Sequence, residues 1–266
     1  MNLHYKTYGG GGAPLVILHG LFGGADNWHG IATRLADCFQ VLVPDLRNHG
    51  GSPHHAEMSY PLMAGDVAAL LADRGWPAAA VLGHSMGGKV AMQLALTRPD
   101  LVQKLIVADI APRAYPPAHR EILAAFLALD VASFSTRAEV EAALAGPIPS
   151  LNLRRFLLKN LGRGDEGRLE WKMNVTALAG NYPRLLLAVT APQPFAGPAL
   201  FLRGDRSEYV LAADEPLIHA LFPRAEIRTV ASAGHWLHAD APEEFVRLVR
   251  EFLSGEGCDN CPKPEP

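Results

Sequence analysis

The fold is decided by residues 82–90, which read LGHSMGGKV. Gly83 to Gly87 match G-x-S-x-G, a pattern in which a serine stands on a sharp turn between a strand and a helix. The run AAAVLGH predicts the strand, and MGGKVAMQLALTRPD predicts the helix. Glycines on both sides allow a tight turn that would leave the hydroxyl of Ser85 strained and exposed. Ser85 is therefore a candidate nucleophile, and the helix N-terminus behind it favours negative charge.

A phosphate-binding loop is the main rival interpretation of these residues. Gly83 to Lys89 also fit G-x-x-x-x-G-K, but that motif requires Ser or Thr at the next position to hold Mg²⁺. Val90 stands there, and its side chain cannot coordinate a metal. The sequence thus disfavours nucleotide hydrolysis, and the other alternative is a glycine-rich turn with an idle serine.

Strand and helix patterns alternate on both sides of this turn. Buried strands are predicted at APLVILHG, QVLVPD, QKLIVADIAP, PALFLRG and AEIRTVASAGH. Helices are predicted at DNWHGIATRLADC, with Asp26 as its N-cap, and at YPLMAGDVAALLADRG, PLIHALF and PEEFVRLVREFLS. Such alternation predicts an α/β fold with a mostly parallel sheet covered on both faces.

The alternation stops between Arg113 and Gly197. Helical patterns follow one another there at REILAAFLALD, RAEVEAALAG, LRRFLLKNLG and RLLLAVTAP, with no strand pattern between them. Open α/β sheets bind ligands at the carboxyl ends of their strands, so we expect this insert to cover that edge as a cap. The predicted organisation is a core of residues 1–112 and 198–255, a helical cap of residues 113–197 and a disordered tail of residues 256–266.

The composition is typical of a soluble globular protein. Of the 266 residues, 49% are apolar and 19% are charged, and the net charge of −3 does not indicate nucleic-acid binding. No apolar run approaches the roughly 20 residues that span a bilayer, and no signal-peptide pattern is present, so we expect a cytoplasmic protein with no membrane partner. Three cysteines are too few for a disulfide scaffold, and Cys258 and Cys261 are interpreted as incidental thiols of the tail.

A nucleophilic serine needs a base, and ASAGHWLHAD follows the last predicted strand. His235 is the candidate base in this stretch, because Gly234 permits the sharp turn that would aim its ring at Ser85. His238, three residues further on, is the alternative. Both follow Ser85 in the chain, as this type of site requires.

The developing negative charge of such a reaction needs two backbone donors. One is the N–H group after the nucleophile, which belongs to Met86. The other is expected from HGLFG, residues 19–23, with Leu21 as the candidate. Phe22, His84 and Trp236 are the candidate substrate-binding side chains around this site.

Together, HGLFG, GHSMGGK, AGHW, DLRNHGGSP and VADIAP resemble the α/β-hydrolase superfamily, and within it the YbfF-type esterases. The resemblance covers about Leu15 to Leu253 and is weak across the helical insert. It implies an α/β-hydrolase fold with an eight-stranded, mostly parallel sheet, helices on both faces and a helical cap. It also implies hydrolysis of carboxylic esters or acyl thioesters, with no cofactor and no metal.

The resemblance also bears on the acid that would orient His235. The usual acid position of the superfamily, three residues after Gly204, holds Ser207, which carries no charge. YbfF-type esterases place the acid one strand earlier, which implies Asp109 at the end of LIVAD. Asp205 is the alternative, and Glu208 follows it.

The leading hypothesis is a serine hydrolase that cleaves small to medium acyl groups from small-molecule esters or thioesters through an acyl-enzyme on Ser85. We expect a monomer or a small homo-oligomer. The alternatives are a ligand-binding receptor or scaffold without turnover on the same fold, and other chemistries of the same three residues: perhydrolysis, lactone opening or C–C bond hydrolysis.

Overall fold

A computed structural model describes residues 1–164 and 166–254 of the chain. The strands of its main sheet are β1 (Tyr5–Tyr8), β2 (Ala13–Leu18), β3 (Phe39–Pro44), β4 (Ala79–His84), β5 (Val102–Ala108), β8 (Ala199–Gly204) and β9 (Ala225–Val230); a short hairpin elsewhere holds β6 (Leu161–Arg163) and β7 (Leu169–Trp171). The main sheet has the order β1-β3-β2-β4-β5-β8-β9. β1 pairs with β3 in antiparallel fashion, and the other neighbours are parallel.

The helices of the described residues are α1 (His29–Leu35), α2 (Tyr60–Asp73), α3 (Met86–Thr97), α4 (Arg120–Ala128), α5 (Arg137–Ala143), α6 (Leu151–Leu157), α7 (Val175–Leu185), α8 (Glu215–Leu221), α9 (Leu237–Asp240) and α10 (Pro242–Ser254). They cover both faces of the sheet. α1 and α10 pack with the side chains of one face, whereas α2, α3 and α8 pack with those of the other. None of these helices combines the length and apolar character needed to span a bilayer.

The buried stretches of the central strands are apolar on both sides because both faces of the sheet are covered. In β2, Leu15 and Ile17 contribute to one core cluster, and Val16 and Leu18 contribute to the other. All four side chains have no exposed surface. Such a strand appears in the sequence as a continuous apolar run rather than as an alternation.

The turn between β4 and α3 depends on two glycines. A Cβ atom at Gly83 would lie 2.2 Å from the carbonyl oxygen of Gly87, and one at Gly87 would lie 2.4 Å from that of Leu18. Contacts this short exclude any larger residue without movement of the backbone. The glycines therefore let α3 start directly against the carboxyl end of β2.

The prediction of eight strands is wrong by one. Within the described residues the main sheet has seven, because the four residues before Tyr5 form no strand. His4 instead continues the contact of β1 with the β3 side: its carbonyl accepts from the N–H of Asp45 at 2.9 Å. The parallel core and its helical cover are as predicted.

The insert between β5 and β8 contains α4, α5, α6 and α7. It also contains the antiparallel hairpin of β6 and β7, which the sequence analysis did not predict. Strands of three residues are too short to show a periodicity. Residues 113–197, called the cap segment below, remain its predicted extent. The predicted tail, with Cys258 and Cys261, lies outside the described residues.

Candidate active site

Ser85 is the single residue between β4 and α3, and its backbone is strained. Its φ angle is +53°, in the left-handed region that non-glycine residues rarely adopt. The N–H of Ser85 donates to the carbonyl of Ala108 at 3.0 Å, which ties the turn to the end of β5. This backbone presents the hydroxyl toward His235, with Oγ 3.1 Å from Nε2.

His235 follows β9 and contacts both Ser85 and Asp109. Its Nδ1 lies 2.8 Å from Oδ2 of Asp109, whose side chain has no exposed surface. The ring of Tyr209 stacks on the imidazole, with centroids 3.8 Å apart and an interplanar angle of 19°. The carbonyl of His235 accepts from Nε2 of His84 at 2.8 Å. The imidazole is thus held by hydrogen bonds at both nitrogens and by stacking on one face, and the backbone of His235 is held by His84.

Asp109 directly follows β5, has a φ angle of +53° and receives donors on both oxygens. The N–H of Gly204 donates to Oδ1 at 3.1 Å. The hydroxyl of Ser207 donates to Oδ2, the same oxygen that faces His235. Ser207, the residue at the expected acid position, therefore bonds to the carboxylate of Asp109, which follows the neighbouring strand. No spacing or motif in the sequence predicts this contact.

The alternative acid and base lie elsewhere. Asp205 accepts from the N–H groups of Ser232 and Ala233, at 2.8 and 3.1 Å, and so holds the turn after β9. The ring of His238 stacks on Trp28 with centroids 4.2 Å apart, and the hydroxyl of Ser85 bonds to His235 instead.

The two predicted backbone donors flank the serine. Met86 is the first residue of α3, and the N–H groups of a first helical turn have no acceptor within the helix. Among the described residues, the N–H of Leu21 has no acceptor either, whereas those of Phe22 and Gly23 are occupied by His49 and Gly20. A Cβ atom at Gly20 would lie 3.3 Å from the Cβ of Ser85, so this loop runs directly beside Ser85.

Two cavities lie on different sides of these residues. One of about 530 Å³ contains Ser85 and Met86 and is mostly lined by apolar and aromatic side chains, including Ile110, Tyr182 and Leu186. The other, of about 850 Å³, contains His235, and its lining mixes charged and polar side chains with apolar ones. Its cations are Arg34, Arg155, Lys159 and Arg206, and its carboxylate is Asp240.

The three predicted substrate-binding residues line a small cavity of about 50 Å³ that contains both Ser85 and His235. His84 is buried, and burial lowers the pKa of its ring well below the ordinary value, with His235 and His238 acting in the same direction. Its ring is therefore neutral at pH 7. Phe22 is also buried, while Trp236 packs against Phe156 of the cap segment.

A strained serine, a histidine on its hydroxyl and a buried carboxylate on that histidine, held at the carboxyl edge of a parallel sheet, are typical of serine hydrolases. Residues 13–242 match the family described as the alpha/beta hydrolase fold. The chain therefore belongs to the α/β-hydrolase family.

Several of its relatives are named as lipases or esterases. The chain is 38% identical over 248 residues to the sn-1-specific diacylglycerol lipase ABHD11 of Mus musculus, an alignment that covers 90% of this chain and 80% of that protein. It is 36% identical over 243 residues to esterase YbfF of Escherichia coli K12, covering 91% and 93%. A solved marine microorganism esterase has a TM-score of 0.92 at 43% identity, covering 94% and 99%. These relatives confirm the resemblance to YbfF-type esterases.

Proposed function

We propose that this chain is a serine hydrolase that cleaves carboxylic esters through an acyl-enzyme on Ser85. The observation that carries the proposal is the unbroken set of contacts from Ser85 to His235 and from His235 to Asp109. The α/β-hydrolase fold and the esterase and lipase relatives support the same activity.

In this mechanism Oγ of Ser85 attacks the acyl carbonyl, and Nε2 of His235 takes the hydroxyl proton. Asp109 holds the N–H at Nδ1 and stabilises the imidazolium that forms. The N–H groups of Leu21 and Met86 bind the oxyanion. His235 then returns the proton to the leaving alcohol, and a water molecule, activated by the same ring, cleaves the acyl-enzyme.

The character of the cavities supports an assignment of the two halves of the substrate. The apolar cavity beside Ser85 and Met86 suits the acyl group, since apolar surface binds there without loss of hydrogen bonds. The leaving group lies on the side of His235, because that ring supplies its proton. A thioester would react with the same residues. Thioester hydrolysis, the cytoplasmic location and a monomer or small homo-oligomer remain predictions.

The first test is hydrolysis of p-nitrophenyl butyrate by the wild type, by Ser85→Ala and by Ser133→Ala. Ser133 is an exposed serine of the cap segment and serves as the matched control. We expect Ser85→Ala to lose at least about a ten-thousandfold in kcat, because the nucleophile is removed. We expect Ser133→Ala to match the wild type.

A fluorophosphonate probe supplies a second readout of the same variants. It should label the wild type and Ser133→Ala and leave Ser85→Ala unlabelled. A wild type that neither hydrolyses esters nor reacts with the probe would contradict the proposal and favour a ligand-binding protein without turnover.

A further inference from the structure

The loop that carries the Leu21 donor has each of its peptide groups held in place. The Gly20–Leu21 peptide is planar, so fixing the carbonyl of Gly20 also fixes the direction of the Leu21 N–H. That carbonyl lies 2.8 Å from Nδ1 of His19 and accepts from the N–H of Gly23 at 2.9 Å. Nε2 of His19 accepts from the N–H of Leu46 at 2.9 Å, so the proton of this ring is on Nδ1 and is donated to Gly20.

The next two peptide groups belong to Phe22 and are held from opposite sides. Its N–H donates to Nε2 of His49, in the core, at 3.3 Å. Its carbonyl accepts from Nδ2 of Asn160, in the cap segment, at 2.6 Å. Asn160 and Phe22 are 138 residues apart in the chain, and both are buried. The cap segment therefore takes part directly in the conformation of this loop.

Phe22 needs this support because its backbone is strained. Its φ angle is +59°, a value that a bulky residue adopts only when the surroundings impose it. The ring is enclosed by the cap segment as well, with centroids 5.9 Å from His119 and 5.6 Å from Phe126. Without the Asn160 bond, the buried carbonyl of Phe22 would lose its donor. A change of Phe22 to negative φ would then lower the free energy of the loop by releasing its backbone strain.

Asn160 is itself well anchored. It ends the 3₁₀ turn Leu158–Asn160 after α6. Its Nδ2 also donates to the carbonyl of Leu157 at 3.2 Å, and its own carbonyl accepts from the N–H of Lys172 at 2.7 Å. The turn and the β6–β7 hairpin thus hold the amide in a fixed position.

We propose that Asn160 is a positioning residue that makes the oxyanion hole depend on the cap segment. It holds Phe22, and through Phe22 the Leu21 N–H, in the direction of the oxyanion on the Ser85 adduct. This inference rests on the proposed function. The oxyanion exists in the transition state and not in the bound ester, so losing this support lowers kcat and leaves KM nearly unchanged.

The test compares Asn160→Ala with Asn181→Ala in p-nitrophenyl butyrate hydrolysis. Asn181 is equally buried and also ties the cap segment to the core, through Ala56 at 2.7 Å, but it has no contact with the loop. We expect Asn160→Ala to lose about 10- to 100-fold in kcat, less than or near the cost of removing one oxyanion donor. We expect Asn181→Ala to keep kcat within about threefold.

A trifluoromethyl ketone with the same butyryl chain separates positioning from general loosening of the cap. It forms a tetrahedral oxyanion adduct on the serine, whereas the matching methyl ketone mimics the bound substrate. In Asn160→Ala, affinity for the trifluoromethyl ketone should fall by the same factor as kcat, and affinity for the methyl ketone should not change. Asn160→Asp, nearly isosteric but unable to donate, serves if the alanine variant does not fold and should lose as much.

The outcomes separate the two proposals. Equal losses in Asn160→Ala and Asn181→Ala, or full activity in Asn160→Ala and Asn160→Asp, would overturn the positioning role and leave the hydrolase proposal standing. A wild type that is inert while folded would remove both.

Discussion

The carboxylate of Asp109 gathers three hydrogen-bond donors at a site with no exposed surface: the ring of His235, the hydroxyl of Ser207 and the N–H of Gly204. A buried carboxylate is stable only when it is paired and bonded in this way. Ser207 and His235 both bond to Oδ2, and the N–H of Gly204 bonds to Oδ1. Because the carboxylate accepts a hydrogen bond from Nδ1 of the imidazole, the proton of that ring is on Nδ1, and Nε2 faces Ser85.

The first prediction concerns this assignment. Asp109→Asn should lower kcat for p-nitrophenyl butyrate by about a thousandfold or more, because an amide can present its N–H to Nδ1 and stabilise the wrong tautomer of His235. Asp205→Asn is the matched control. Asp205 bonds to backbone N–H groups of the turn after β9, so this variant should keep most of the activity, at some cost in thermal stability.

The opposite ranking of these two variants would be decisive. If Asp205→Asn lost the activity and Asp109→Asn kept it, Asp109 would be a structural residue at the end of β5. The circular dichroism spectra of both variants must match the wild type for either reading.

Elements are recognisable in the sequence where one local pattern determines them. The turn at Ser85 was predictable because two glycines, a strand and a helix coincide within a few residues. The first helix was predicted less well: Asp26 is not its N-cap, and α1 begins at His29 after a 3₁₀ turn, Ala25–Trp28, with Gly24 before it. There, tertiary contacts set the helix start, since Asp45 accepts the N–H of Ala25.

Contacts between distant elements were not predictable in this way. The Ser207 hydroxyl on Asp109, the Tyr209 ring on His235 and the Asn160 amide on Phe22 join residues from different elements. No spacing or periodicity in the sequence signals such pairs. The helical pattern RLLLAVTAP was also misleading, because α7 ends at Leu185, within it.

The second prediction concerns the joint between α3 and the cap segment. Nζ of Lys89 donates to the carbonyls of Arg113 and Leu187, at 2.8 and 2.6 Å, near the two ends of that segment. Lys89→Met should remove both bonds, each of the kind that contributes about 1.5–3 kcal/mol. The N–H groups of Tyr115 and Val189 donate to the carbonyls of Leu186 and Pro112 and so join the two ends of the cap segment. Amide hydrogen exchange at these two residues should become at least about tenfold faster.

Lys104→Met is the matched control for this joint. Nζ of Lys104 makes the same pair of bonds, to the carbonyls of Phe252 and Leu253 at the end of α10. Its loss should speed exchange there and leave the amides of Tyr115 and Val189 unchanged. Unchanged exchange at those two amides in Lys89→Met would show that the other contacts hold the joint by themselves.

At the scale of the whole molecule, buried neutral histidines make the fold sensitive to acid. His49 is buried and His238 is half-buried with its Nδ1 enclosed, and burial lowers the pKa of each to about 3. In the unfolded chain the same rings titrate near 6.5. Between these values the unfolded state binds more protons than the folded state, so acidification stabilises the unfolded state. Stability is fully present above about pH 6.5 and falls as the pH is lowered toward 3.

The third prediction isolates one of these rings with His238→Phe. Phenylalanine keeps the stacking on Trp28 and replaces a ring whose buried Nδ1 has no hydrogen-bond partner in the described structure. One proton difference corresponds to about 1.4 kcal/mol per pH unit. The free energy of unfolding in urea should therefore fall less steeply in the variant, by about that amount per unit, between pH 6 and pH 4. The difference between the two proteins at pH 8 gives the effect of packing alone, because His238 is neutral in both states there. Curves that stay parallel down to pH 4 would mean that His238 is protonated in the folded protein, with the loop around it open to water.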